Sequence, residues 1–370
     1  MRPGLRPRIA ALLAITTLAA CTSTGGAPSP SSRHRTAHHP KSAVTTPSAA
    51  ATAPARPAGL FTISFAGDVH FAGRVARRLA HNPATVFSRA APGLRKADLT
   101  MVNLETAITS GGVPQNKEFT FRAPPVALTA LRDAGIDVAT MANNHGADYG
   151  AAGLRDSLRA IKRSGFPVIG IGRDAPHAFA PYTTTLNGVK VAIIAADQVQ
   201  DETTLSLFSA GPGKPGVANA YSPRLIRAVR QAKAAGYVVI VYVHWGIEYQ
   251  TCPSGDQTQL AARLAQAGAS AVVGTHAHVL QGAGWRPDGS YVAYGLGNYL
   301  WWLSFGNNQD DNGVLTLTFR RSRAVADSFA PSHLDERGVP MPARGAARRR
   351  ILAEWNADRR CTDLSNRPSH

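Results

Sequence analysis

Between residues 60 and 319, apolar runs of strand length alternate with longer segments whose apolar positions recur at helical spacing. The runs predict strands at 61–65, 99–103, 138–142, 168–170, 189–195, 237–243, 271–273, 291–294 and 313–319. The longer segments predict helices at 125–134, 150–164, 223–235 and 257–266. This alternation implies an α/β domain with helices flanking sheets, large enough to bury a full core. Asn187-Gly188, between two strand-like runs, signals a hairpin, so at least one strand pair is antiparallel.

Polar residues gather at the ends of the apolar runs. The run before Gly274 leads into Thr275-His276-Ala277-His278, which offers two imidazoles at alternate positions, and alternate side chains of a strand point the same way. Four other runs end comparably: in Asp68-Val69-His70, in Asn103-Leu104-Glu105, in Asn143-Asn144-His145 followed by Asp148, and in His244-Trp245-Gly246 followed by Glu248. Each piece alone has a structural reading: Gly67-Asp68 as a turn, Asn143-Asn144 as a helix N-cap region, His244 as a satisfied core residue. Ligand sites of open α/β sheets lie beyond the carboxyl ends of their strands, and five such ends with metal-compatible groups suffice for two divalent ions sharing a carboxylate.

The N-terminal pattern differs. Arg2, Arg6 and Arg8 precede an apolar stretch, 9–18, too short to span a bilayer as a mature helix, and Leu18-Ala19-Ala20-Cys21 follows. This resembles the lipobox of bacterial lipoproteins, with cleavage before Cys21 and lipid on its sulfur. The alternative is an ordinary secretory signal with Cys21 incidental. Residues 1–21 therefore read as a signal segment, and 22–59, rich in Ser, Thr, Pro and Ala, as a disordered tether. The expected location is extracytoplasmic, lipid-anchored to the membrane.

The net charge is +17, but residues 1–59 hold +7 of it and 320–370 another +5. The domain itself is only mildly basic, which gives no reason to expect a nucleic-acid groove. Basic ends fit an anionic lipid surface or wall polymer, and equally a plain solvated surface. With Cys21 lipidated, Cys252 and Cys361 remain as an even pair in an oxidising compartment, expected as a disulfide, with two free thiols as the alternative. Residues 321–370 read as a basic C-terminal extension whose helix, 346–360, sets Ile351, Leu352 and Trp355 on one face and is expected to pack on the domain, with Cys361 as its staple, rather than insert into lipid.

The blocks Phe65-Ala66-Gly67-Asp68, Val102-Asn103-Leu104-Glu105, Phe119 to Pro124, Ala142-Asn143-Asn144-His145, His244 to Tyr249, Gly274 to His278 and Gly295 to Tyr299 carry a family resemblance. From about Phe61 to Phe319 (domain 60–320) the sequence resembles the CapA-type poly-γ-glutamate capsule synthesis proteins, whose fold looks like that of calcineurin-like metallophosphoesterases. The resemblance implies a four-layer α-β-β-α sandwich with mixed sheets. It also implies two divalent ions (manganese, iron or zinc), one on Asp68, His70 and His278, the other on Asn144, His244 and His276, with Glu105 between them. His145, oriented by Asp148, would serve the leaving group, and Arg122, Glu248 and Asn298 would meet substrate. Arg122 fits an anion-binding fork or a surface salt bridge equally. Trp245, Tyr249, Trp301 and Trp302 fit a cleft lining or core packing.

Three positions depart from the metallophosphoesterase pattern: Glu105 stands for an aspartate, Asn143 for a glycine, and Gly146 for the acid after the third-block histidine. The resulting expectation is a surface-tethered metal-dependent hydrolase in capsule, poly-γ-glutamate or envelope polymer synthesis. Its expected partners are an anionic polymer or phosphorylated envelope substrate, the membrane through its lipid anchor, and a membrane-embedded synthase. The alternative is a non-catalytic component that binds, exports or anchors poly-γ-glutamate.

Overall fold

The computed structural model describes residues 57–199 and 207–368. The signal segment, Cys21 and nearly all of the tether lie outside them. Among the described residues no helix is long and apolar enough to cross a membrane.

Two mixed sheets face each other. The first contains β1 (Leu60–Val69), β2 (Leu99–Leu104), β5 (Val138–Thr140), β6 (Val168–Ile169), β15 (Asn298–Leu300), β16 (Asp311–Arg320), β17 (Arg323–Leu334) and β18 (Pro340–Pro342). Its order is β18-β17-β16-β1-β2-β5-β6, with β15 added beside β1. The second contains β8 (Tyr182–Leu186), β9 (Val189–Asp197), β11 (Val238–Trp245), β12 (Ala269–His276), β13 (Ala283–Trp285) and β14 (Tyr291–Ala293). It is ordered β13-β14-β12-β11-β9-β8. Two short ribbons complete the strands: β3 (Ala107–Ile108) with β4 (Arg122–Ala123), and β7 (Ile171–Gly172) with β10 (Gly216–Val217).

Period-two burial sets the layers. On β1, Phe61, Ile63 and Phe65 face the second sheet, where they meet Ile193, Ile240, Tyr242 and Val273. The alternate residues of β9, β11 and β12, among them Ile194, Val241 and Val272, face outward and pack with Leu225 and Val229 of α6 (Pro223–Ala234) and Leu260 and Leu264 of α7 (Gly255–Ala267). The short α5 (Ala175–Ala178) joins that layer. On the other side, α1 (Gly73–His81), α2 (Ala91–Leu94), α3 (Val126–Ala134) and α4 (Gly150–Ser164) cover Val102, Leu104 and Ala139. The result is the α-β-β-α sandwich implied above. The predicted hairpin forms, joining β8 to β9 antiparallel, with Asn187 and Gly188 both at positive φ.

The C-terminal residues need correction. Residues 321–370, read as an extension, supply two sheet strands: β17 pairs along β16 and β18 pairs with β17. Few of β17's residues are fully buried, and its outward Arg, Ser and Asp hide the strand pattern in the sequence. Helix α8 (Gly345–Asp358) buries Ile351 and Trp355 in the intersheet core, where Trp355 stacks on Phe329 at 4.2 Å, and leaves Leu352 half-buried.

Asp358 closes α8, where a carboxylate opposes the helix dipole. Burial, with Glu354 nearby, pushes its carboxyl up to about 6. An acid whose folded pKa is raised loses its stability contribution as pH climbs through that value. Asp358→Asn is therefore expected to raise the melting temperature above pH 6 and to change little at pH 4. Partial exposure holds the gain to roughly 1 kcal/mol or less, readable as a pair of melting curves at pH 4 and 8.

Candidate metal centre

The parallel strands β1, β2 and β5 of one sheet and β11 and β12 of the other send their carboxyl ends to a common place. Two glycines allow the close approach. A Cβ at Gly67 would lie 1.9 Å from the Gly297 carbonyl oxygen, and one at Gly274 would lie 2.0 Å from Trp245 Nε1. Gly274→Val is accordingly expected to displace the segment carrying His276 and to cost several kcal/mol of stability, of the order of an overpacked core site or more. Urea unfolding would read this directly.

Asp68, Glu105, His244, His276 and His278 are all buried at this junction. Their donor atoms fall into three groups, each within 4.8 Å: Glu105 with His244 and His276, Asp68 with Glu105 and His278, and Glu248 with His276 and His278. Glu105 is common to the first two. His276 and His278 adopt positive φ, 95° and 57°, conformations that cost an imidazole-bearing residue energy and that cluster at functional sites.

A polar frame holds the donors. Asn103 Nδ2 donates to Asp68 Oδ1 at 2.8 Å, and the His276 N–H reaches Asp68 Oδ2 at 3.1 Å. Asn143 Nδ2 donates in turn to Asn103 Oδ1 (2.8 Å) and to the Leu104 carbonyl. Where the pattern expects a glycine, Asn143 therefore braces the site. His244 Nε2 lies 2.9 Å from Asn144 Oδ1 and 3.7 Å from Glu105 Oε1. His278 Nδ1 pairs with Asn298 Oδ1 at 2.8 Å.

His145 sits beside Glu105, its Nε2 3.8 Å from Oε1, while its Nδ1 lies 2.6 Å from Asp148 Oδ2. Asp148 thus stands in for the acid that Gly146 lacks. The Phe121 N–H also donates to Asp148 Oδ2 (2.6 Å), and Lys117 Nζ lies 2.5 Å from Oδ1.

Burial dominates the electrostatics. It pushes the Glu105 carboxyl well above its usual range, with Asp68 adding to the effect, and raises that of Asp68 itself. It holds His70, His244 and His276 well below the ordinary histidine value and lowers His145, which Asp148 partly opposes. Glu105 Oε1 and His276 Nδ1 are buried without a hydrogen-bond partner. Converging carboxylates and neutral imidazoles with orphaned buried donors fit a borderline divalent cation of the zinc, manganese or iron kind.

Other expected site residues fall differently. His70 is buried at the end of β1; its Nε2 accepts the Trp302 N–H at 2.9 Å, its Nδ1 is buried without a hydrogen-bond partner, and it belongs to none of the three donor groups. Asn298 is fully buried against His278, so it orients a ligand-type histidine and does not face solvent. Arg122 lies exposed, its guanidinium 4.7 Å over the Tyr149 ring. Glu248 reaches the centre itself. Tyr249, Trp301 and Trp302 line the cleft above, whereas Trp245 is core, its Nε1 donating to the Tyr294 carbonyl. Sequence reasoning missed Asn103 and Lys117. Asn103 could have been found from its alternation with Glu105; Lys117, in a loop, gave no signal. Cys252 and Cys361 form a disulfide.

The layers, with the histidine–carboxylate centre at the strand ends, define an α/β protein with the calcineurin-like fold. The family described as "Bacterial capsule synthesis protein PGA_cap" matches residues 62–301, and the chain belongs to it. Among its relatives, PGA biosynthesis protein CapA of Bacillus subtilis is 29% identical over 65% of this chain and 63% of its own length. Capsule biosynthesis protein CapA of Bacillus anthracis is 28% identical over 77% of this chain and 70% of its own. The chain thus spans under two thirds of the first of these. A solved structure, that of a hypothetical protein from Thermus thermophilus, aligns over 74% of this chain and 99% of its own with 20% identity and a TM-score of 0.46.

Proposed function

We propose that this protein is a metal-dependent phosphoester hydrolase serving capsule or envelope polymer synthesis, held outside the cytoplasm by lipid on Cys21. The observation that carries the reading is Glu105, one buried carboxylate common to two groups of ligand atoms, with His145 beside it. Asp68 and His278 would share one divalent ion with Glu105, and His244 and His276, with Asn144 adjoining, would share the second. Bound there, such ions supply Lewis acidity to an anionic substrate oxygen and acidify an attacking water.

The chain's own groups do the rest. Asp148, braced by Lys117 and the Phe121 N–H, holds His145 by Nδ1 and aims Nε2 toward the centre. In its protonated form, which the Asp148 carboxylate favours against burial, His145 gives a proton from Nε2 to the leaving oxygen, and the proton lost by the attacking water passes to solvent. Water's oxygen forms the new bond to phosphorus as the ester P–O bond breaks, leaving phosphate and an alcohol. The relatives are named for PGA and capsule biosynthesis, and on that basis we propose a substrate among polymer precursors or chain ends and a membrane-embedded synthase as the partner.

Metal content and phosphoester turnover of wild type, Asp68→Ala and His145→Ala test this. About two ions in wild type, fewer in Asp68→Ala, and turnover that falls roughly 10²–10⁴-fold in His145→Ala with its metal retained would support it. Bound metal with no turnover would favour a polymer-binding component instead, and no metal after reconstitution would refute the site.

A further inference from the structure

The cleft leading to the centre is aromatic. Phe119, Phe121, Tyr249, Trp301, Trp302 and Phe305 line a small cleft, about 90 Å³ and open to solvent at its mouth, whose floor is His145 and His278. Phe119, Tyr249 and Phe305 are 48%, 55% and 38% exposed, large apolar faces left in water at the mouth of a site. Two further residues complete the lining: Glu248, partly exposed, and Gln309, whose Oε1 is buried without a hydrogen-bond partner. Among the described residues, no lysine or arginine lines the cleft.

We propose that this cleft takes an uncharged sugar ring, carried by the leaving group of the substrate. A run of γ-linked glutamates would set one carboxylate per residue against aromatic faces and the Glu248 carboxylate, and only the one beside the centre could reach a bound ion. A pyranose has the opposite character. Its C–H face stacks on an aromatic ring, and its hydroxyl edge donates to the Glu248 carboxylate. The centre then receives the compact anionic group and the cleft receives the neutral one. This deepens the hydrolase reading, and rests on it only for the identity of the reacting bond.

The test is calorimetric titration of the full chain: the metal-loaded form with glucose 1-phosphate, glycerol phosphate and γ-linked triglutamate, and the metal-free form with the uncharged pair methyl glucoside and glycerol. A change in tryptophan emission that is lost in Trp302→Ala reports contact at that residue. Glucose 1-phosphate on the metal-loaded form, and methyl glucoside on the metal-free form, are expected to bind about five- to tenfold tighter than their glycerol counterparts, the worth of one good ring contact. That preference should fall to near unity in Trp302→Ala and in Phe119→Ala; Phe119 is half exposed, so its loss leaves the fold intact. Equal affinity for the two phosphates, a preference unmoved by both variants, or tighter binding of triglutamate would overturn the proposal. A failed hydrolase reading would show separately, as absent metal or turnover, while the metal-free preference would still be measured.

Discussion

Glu105→Gln is expected to raise the melting temperature of the metal-free protein while removing its metal. Glu105 is fully buried, Oε1 has no hydrogen-bond partner, and burial pushes its carboxyl well above the usual range. Without a cation, an ionised Glu105 is an uncompensated buried charge, and a neutral amide of the same shape relieves it. The sign follows from linkage. A carboxyl whose folded pKa is raised contributes stability below its unfolded pKa and loses it as pH rises through the folded value. The variant's advantage should therefore be absent near pH 4 and grow toward pH 8. In the presence of metal the order should reverse, because only wild type gains binding free energy. Turnover should drop by more than about a hundredfold, beyond what losing an outer partner of a ligand costs. Melting curves with and without chelator, at two pH values, test this. A variant that melts lower than wild type in chelator at pH 8 would show that Glu105 is not a strained, cation-seeking group.

Opening the disulfide should produce the second large effect. Cys252 and Cys361 are 109 residues apart in sequence, and their bond ties the segment after β11 to the end of α8. In the chain-entropy account a closed loop of this length stabilises the fold by about 4–5 kcal/mol, by restricting the unfolded chain. Cys252→Ala with Cys361→Ala should lose stability on that scale, and reductant should then have no further effect. The same segment carries Glu248 and Tyr249 at the cleft. Reduction is thus expected to weaken substrate binding more than it lowers metal content, since Asp68, Glu105, His244 and His276 belong to other segments. Denaturant unfolding with and without reductant measures the first effect, and KM against kcat the second. Loss below about 1 kcal/mol, well under the chain-entropy value, would mean that the packing of Ile351 and Trp355 alone holds the C-terminal helix.

The sequence by itself determined most of the strand and helix succession through residue 319, because period-two and helical burial are written locally, but it left α1, β13 and β15 unread. It also determined which strand ends carry donors, since a Gly followed by Asp or His beyond an apolar run has few other uses when the pattern recurs along one chain. It identified the cysteine pair by parity alone. Only the tertiary structure decided how the donors group. Glu105 meets two sets of ligand atoms because β2 lies beside β1 in one sheet and faces β11 and β12 of the other, a relation no local spacing encodes. Likewise only packing showed that Asn298 orients His278, that Trp245 is core, that Lys117 arrives from a loop to brace Asp148, and that 321–370 completes a sheet. Each depends on contacts between residues far apart in the chain, where hydrogen bonding and burial are set by the neighbours the fold supplies.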